Sequence, residues 1–552
     1  MLPMPDRLPP RIMWALLLAW GFFTLATLGA APLFDYDETI YAQTAIDMMH
    51  HGEWIVPTAN GMQFFEKPPF TYYMMDLCFS IFGENAFAAR LPSALFSFGT
   101  ALLLLHFGTR LHSRRMGFAA AGIFLSMLEV GFLAHAAILD AVLNFFIAAC
   151  LLNFARWLTG GQQRHALWCA AMMGAAVSIK GPVGAVVPLL IIFAERLLSG
   201  NLLKLLRDIP WLRAIPIFLL TATPWYIMIL AINGPAFLYD FIVVHNIERA
   251  LHPMQGHGGR WHYYILVFAI SVLPWLATLP WVFGRGWRMR RESDNTALLA
   301  RLGILWTVIV IVLFSFAQTK LPHYISSIYP GVAMLIAAVW MHGSPEPARA
   351  RNMIRASMLV LLPAALLLLA FPMIYPWLEG LTHHPRALAI LSQGVAPSWS
   401  ISLFGALLLG VLIWLAGKAS RTRLLIALML TGMVMQLSLL TGLGTFAARL
   451  MQAPTMRIAE VVKSLPGDMP LHSYNLNAPS ASFYAGRNYR IHLGARGAGE
   501  LRTTSRPLAL MLRSESLPEL PWLAGVQPQI DQGGFLLFVL RDKPATATIP
   551  AP

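Results

Sequence analysis

Between its first two long apolar runs the sequence reads Phe34-Asp35-Tyr36-Asp37-Glu38-Thr39-Ile40-Tyr41, then Phe65-Glu66-Lys67-Pro68-Pro69-Phe70. Acids and a lysine at the edge of hydrocarbon are costly unless they face a cavity, a partner or a substrate. The plain alternative is a set of solvated loop charges, with Asp37 or Thr39 capping a helix that starts near Ile40. Lys67-Pro68-Pro69 argues against it, because two prolines fix an extended turn and hold the lysine in one place. A fixed cation beside a carboxylate at that depth suits a lipid phosphate as leaving group. The carboxylate would orient or deprotonate an acceptor.

Other polar residues stand at the same membrane face. Asp140 opens an apolar run just after His135, as a functional acid or as a helix cap. Lys180 sits at the tip of Ser178-Ile179-Lys180-Gly181-Pro182, and Arg249 lies among His245, Glu248 and His252. Lys320-Leu321-Pro322-His323-Tyr324 brings a further cation, with Lys320 or Tyr324 placed to touch pyrophosphate or sugar. Phosphate contacts from such cations are charge-assisted and roughly twice as strong as neutral hydrogen bonds. Glu66, His245, His252, His257 and His323 offer ligands for zinc or another divalent metal, though only His252 and His257 are close in sequence. Solvated loop histidines are the ordinary alternative.

The elements that position these residues follow from composition. Of 552 residues 57% are hydrophobic and 12% charged, and the mean hydropathy is +0.61. Soluble chains carry about 25% charged residues. The pattern predicts a polytopic α-helical membrane protein of about 13 spans, the first at 12–31 and the last at 423–445. Arg7 and Arg11 before the first run suggest an uncleaved signal anchor. Alternate loops gather clusters such as Arg110, Arg114, Arg115 and Arg285, Arg288, Arg290, Arg291, while the others hold isolated cations. Basic loops stay inside, so the N-terminus is expected in the cytoplasm and the acidic loop outside. The same rule accounts for the net charge of +14 without nucleic acid as a partner. Cys78, Cys150 and Cys169 lie in apolar surroundings and read as buried thiols.

Three outer segments, 32–86, 233–261 and 374–398, are too long to be mere connectors. The first is expected to form helices on the membrane surface, with Ala42, Ile46, Met49 and Trp54 facing lipid. Residues 1–446 form the expected transmembrane unit and 447–552 a small soluble α/β domain outside. In the latter, helices are predicted at 455–465 and 479–485, and strands at 470–474, 508–512 and 534–540.

The Asp37-Glu38 pair after the first span resembles the first-loop acidic motif of GT-C glycosyltransferases of the protein O-mannosyltransferase superfamily. Phe65-Glu66-Lys67-Pro68-Pro69 looks like the version found in bacterial aminoarabinose transferases, with Phe64 where a tyrosine would be expected. Those enzymes move 4-amino-4-deoxy-L-arabinose from undecaprenyl phosphate to a phosphate of lipid A. The resemblance implies a GT-C fold in the bacterial inner membrane, a periplasmic site, and inverting transfer by a monomer. It implies Asp37 as the central carboxylate and Lys67 as a donor-phosphate ligand. Glu38, Tyr41, Asp140, Lys180, Arg249, Lys320 and Tyr324 join them as candidate substrate contacts. Glu66 and His245 are candidate ligands for a divalent metal. An ionised phosphate acceptor needs no strong base, so Asp37 could instead orient the nucleophile or meet the sugar ammonium. The competing readings are transfer of another sugar and, outside enzymes, a lipid transporter.

Overall fold

The computed structural model describes residues 10–248, 251–252, 258–343, 345–417 and 421–541. The N-terminal part is helical: α1 Pro10–Thr27, α2 Asp37–His51, α3 Phe70–Phe82, α4 Ala86–Leu111, α5 Arg114–Leu125, α6 Leu128–Ala134, α7 Asp140–Gly160, α8 Gln163–Lys180 and α9 Val183–Leu198. Local chemistry sets several of the ends. Asn85 accepts from Ala88 N to start α4, and Ser113 accepts from Met116 N to start α5. α2 carries Asp37 and Glu38 in its first turn, the favourable end for negative charge, and stops at Gly52 with φ 68°. α4 and α5 touch closely because both present glycine: a Cβ on Gly108 would lie 2.7 Å from Gly117 Cα.

Each expected span falls on helix, but the number able to cross a membrane is smaller than expected. Among the described residues six helices are long and apolar enough, or up to nine if each sharply bent pair counts as one span. Short helices such as α9 and Ser400–Gly417, and bends of 72° between α5 and α6 and 105° between Tyr263–Ser271 and Trp275–Met289, account for much of the shortfall.

The first bend exposes backbone that hydrocarbon cannot solvate, so the protein satisfies it internally. Gln436 donates to Leu125 O at 2.8 Å and Met127 O at 2.7 Å, and its own oxygen accepts from the Trp20 indole at 2.9 Å. Trp275 donates to Ser126 Oγ at 3.0 Å and Leu128 N to Leu273 O at 3.0 Å, which ties the two bends together.

After the helix Gly444–Ser464 comes a five-stranded sheet of order β4-β3-β5-β7-β6, preceded in the chain by a small hairpin, β1 Thr58–Ala59 with β2 Met62–Gln63. Its strands are β3 Leu471–Tyr474, β4 Arg490–His492, β5 Leu508–Arg513, β6 Ile530–Gln532 and β7 Phe535–Leu540. β3 pairs parallel with β4 and β5, while β7 is antiparallel to β5 and β6. The helix Pro479–Ala485 ends at Gly486 with φ 64°, a left-handed cap suited to glycine. β4, β6 and the helix Gly494–Thr503 are additions to the sequence expectation.

α2 is where the expected surface helix fails. Every residue from Glu38 to Met48 is buried. α3 packs on one side and the Pro479–Ala485 helix on another, and Gln43 donates to Asn488 at 3.2 Å. Protein covers Ala42 and Ile46 of the face that sequence periodicity assigned to lipid, while Met49 is partly buried and Trp54 exposed.

Candidate active site

Two neighbouring cavities gather the polar residues. The first encloses about 140 Å³ and is lined by Lys67, Asp140, Lys180, His245, Tyr324 and Ser326 above the apolar Ile147, Val183 and Val187. Asp140 opens α7 without capping it. Its carboxylate instead takes Lys180 Nζ at 2.7 Å and Ser326 Oγ at 3.5 Å. Lys180 also lies over the Tyr324 ring, 5.2 Å from its centre. Lys67, just before α3, donates to its neighbour's carbonyl, Glu66 O, at 3.0 Å. Two ammonium groups against one carboxylate leave the chamber positive, the right sign for a phosphate.

The second cavity is larger, about 420 Å³, within the range of small-molecule sites. Asp35, Tyr36, Asp37, Glu38, His135 and His323 line it, with Leu439, Leu440, Gly444 and Ala447 opposite. His323 joins the chambers: it lines the second, yet its Nε2 is 3.9 Å from Asp140 Oδ2 of the first. The carboxylates here have different duties. Glu38 receives Arg90 Nε and Nη2 at 2.8 Å each, Phe34 N at 2.9 Å and Ala137 N at 2.7 Å. Arg90 also donates to Leu28 O, Ala31 O and Pro32 O. Asp35 accepts from Thr39 Oγ1 at 2.6 Å, Ser480 N at 2.9 Å and Ser480 Oγ at 2.5 Å, and burial raises its pKa above the ordinary carboxylate value. Asp37 differs from both. No protein donor among the described residues bonds its carboxylate, which faces the cavity.

The remaining candidates are placed as follows. Glu38, expected as a substrate contact, has both oxygens filled by protein donors and serves as a strap for the chain entering α2. Tyr41 packs into aromatic core, 6.0 Å from the Tyr72 ring and 6.4 Å from Phe64, and lines neither cavity. Lys320 turns away from the first chamber. Its ammonium bonds Ser315 O at 2.9 Å and Ala317 O, capping the helix Asn295–Phe316, and lies 5.8 Å from the Tyr264 ring centre. Unsatisfied carbonyls at a helix end attract a cation, and proximity in sequence could not reveal that rival. Arg249 and His257 lie outside the described residues. Sequence reasoning missed the Arg90 strap and Ser480; a lone arginine in an apolar helix was the available signal for the first.

Glu66 and His245, the candidate metal ligands, belong to no group of three or more ligating side chains among the described residues, and His245 lines the first cavity. Structural zinc takes four ligands. Among the described residues, the group of three that gathers is Glu292, Asp294 and His342, with ligand atoms within 4.8 Å of one another, and it lies outside both cavities.

The model of the family described as dolichyl-phosphate-mannose-protein mannosyltransferase matches residues 66–228. An undecaprenyl phosphate-alpha-4-amino-4-deoxy-L-arabinose arabinosyl transferase of Aeromonas hydrophila is 32% identical over 330 residues, which is 59% of this chain and 59% of that one. The enzyme of the same description from Erwinia tasmaniensis is 30% identical over 378 residues, 67% of this chain and 66% of its own. This chain therefore spans 59% of the length of the first of these relatives in the matched region. The crystal structure of ArnT from Cupriavidus metallidurans bound to undecaprenyl phosphate superposes with a TM-score of 0.76 at 19% identity, covering 95% of this chain and 97% of that one. Its apo form gives a TM-score of 0.78 at 19% identity, covering 96% and 98%. The shared fold is that of a polytopic α-helical membrane protein with a small extramembrane C-terminal region.

Proposed function

We propose, for a chain that belongs to the GT-C superfamily and is homologous to the bacterial aminoarabinose transferases, that it moves a sugar from a polyprenyl phosphate to an acceptor. The observation that carries this reading is the join between the two chambers: a lysine-rich pocket connects through His323 to a larger one holding the Asp37 carboxylate, which no protein donor among the described residues bonds. The finer reading is transfer of 4-amino-4-deoxy-L-arabinose from undecaprenyl phosphate to a lipid A phosphate. Its support is the relatives' activity together with the negative second chamber, which suits a sugar bearing an ammonium.

In this reading the donor phosphate lies against Lys67 and Lys180, and the sugar reaches into the second chamber. A lone pair of an acceptor phosphate oxygen forms the new bond to the anomeric carbon. The bond from that carbon to the donor oxygen breaks, and its electron pair leaves with undecaprenyl phosphate, inverting the centre. The two lysines carry the charge that develops on the departing phosphate. Asp37 holds the sugar ammonium or the acceptor in line, a positioning contribution rather than base catalysis. No step is routed through a metal. Residues 1–446 are the catalytic unit and 447–552 the periplasmic domain; the site faces the periplasm and the N-terminus the cytoplasm, following the basic loops. Transfer of another sugar, to protein for instance, is the second reading, favoured by the description of the matching family model.

Mass spectrometry of lipid A from cells with and without the gene tests the finer reading. A gene-dependent gain of one aminopentose on a phosphate is expected. Unchanged lipid A, with a sugar lost from another envelope component, would overturn it in favour of the second.

A further inference from the structure

Asp35 lies two residues before Asp37, and its carboxylate is held from the far end of the chain. Ser480 supplies both its backbone N–H, at 2.9 Å, and its hydroxyl, at 2.5 Å. Ser480 has no exposed surface, so water cannot take over either bond. The neighbours repeat the pattern: Leu33 N donates to the Tyr484 hydroxyl at 2.7 Å, and Asn477 Nδ2 to the Tyr36 hydroxyl at 3.3 Å. The chain around Asp37 is thus gripped by the segment 477–484. The opposite wall of the same cavity, at Gly444 and Ala447, belongs to the helix Gly444–Ser464, which runs directly into the C-terminal sheet. The second chamber is therefore lined both by the clasped segment and by the helix that leads into the sheet.

We propose that the C-terminal domain is a working part of the catalytic centre, with Ser480 and Asp35 as positioning residues that fix where the Asp37 carboxylate stands. The proposal rests on the reading of Asp37 as the working carboxylate. Loss of the clasp leaves the lysine chamber intact, since no residue of 477–484 lines it. Its signature is consequently a fall in turnover with little change in donor affinity. A merely structural contact would lower stability and leave the turnover of the folded enzyme alone.

The experiment uses the full-length protein in detergent. Undecaprenyl-phosphate-linked 4-amino-4-deoxy-L-arabinose is the donor and lipid A the acceptor. Five variants are compared: Ser480→Ala, Asp35→Asn, their double, Asp37→Asn, and Asn488→Ala, which removes the contact of the same domain with Gln43 of α2. Ser480→Ala and Asp35→Asn are expected to lower kcat about tenfold with donor KM within about twofold of wild type. Their double variant is expected to lose little more than the worse single one, as residues acting through one contact do. Asn488→Ala is expected to keep wild-type kcat. Wild-type kcat in both Ser480→Ala and Asp35→Asn, with Asp37→Asn inactive, would overturn the proposal while sparing the reading of Asp37. Equal losses of kcat in Asn488→Ala and Ser480→Ala, tracking melting temperature, would also overturn it. Full activity in Asp37→Asn would instead remove the reading on which it rests.

Discussion

The Lys180 ammonium lies 2.7 Å from Asp140 Oδ1, and both side chains are largely closed to solvent, at 14% and 4% exposure. Lys180 comes from the C-terminal turn of α8 and Asp140 from the first turn of α7, so the pair fixes the ammonium at the mouth of the lysine chamber. Left alone, either charge would be expensive to bury.

The first prediction follows from that pairing. Lys180→Ala strands a buried carboxylate and is expected to cost about 3–5 kcal/mol as well as donor binding. The double variant Lys180→Ala/Asp140→Ala removes both charges and is expected to recover the melting temperature without recovering transfer. Thermal unfolding in detergent and donor KM read the two effects separately. Recovery of activity in the double variant would refute the phosphate role of Lys180.

Lys67 and Asp37 should differ in kinetic signature. In the proposed reading Lys67 meets both the bound phosphate and the departing one, so Lys67→Ala is expected to raise donor KM and lower kcat. Asp37→Asn keeps the shape and removes the charge; kcat is expected to fall at least about a hundredfold with donor KM nearly unchanged. Steady-state kinetics with varied donor distinguishes them.

The Arg90–Glu38 strap gives a stability prediction without a catalytic one. Arg90→Ala leaves the Glu38 carboxylate buried with its main partner gone, at an expected cost of about 3–5 kcal/mol. Glu38→Gln keeps an acceptor for Phe34 N and Ala137 N and should cost less. Comparative melting curves would show the order; equal melting temperatures for wild type and Arg90→Ala would contradict it.

Asp76 on α3 predicts a pH dependence. It is 2% exposed, and neither carboxylate oxygen has a partner among the described residues. Burial pushes its pKa up from 3.8 to about 8. With the folded value raised, the folded state holds the proton more tightly, and stability from this group falls as pH rises from the unfolded value through about 8. Asp76→Asn removes that loss. Its melting temperature should exceed wild type by a margin that grows from pH 5 to pH 8 and then levels. A constant margin across that range would count against a buried, titrating Asp76.

Much of the frame was legible in the sequence because hydrocarbon is an unforgiving solvent: apolar runs had to be spans, and basic loops marked one face. The same pressure made the exceptions visible, so Asp37, Lys67, Asp140, Lys180 and Tyr324 were singled out by charge or motif, and the fold brings all five to adjoining cavities. Two of the failures, Glu38 and α2, share one cause, a partner distant in sequence. Glu38 looked like a substrate group until Arg90 arrived from α4. Lys320 looked like one until the end of the preceding helix claimed its ammonium. α2 looked lipid-facing because nothing in its periodicity announces that residues 479–485 will cover it. Span count failed differently: hydropathy does not see a 105° bend.

Gln436 has a consequence for how the molecule is made. Its amide closes the bend between α5 and α6 and also holds Trp20 in α1, so α1 is completed by a side chain 416 residues later. Until residue 436 enters the bilayer, the carbonyls of Leu125 and Met127 lack this donor in a medium that offers no water. One glutamine thereby ties the closing of that bend to synthesis of the chain as far as residue 436.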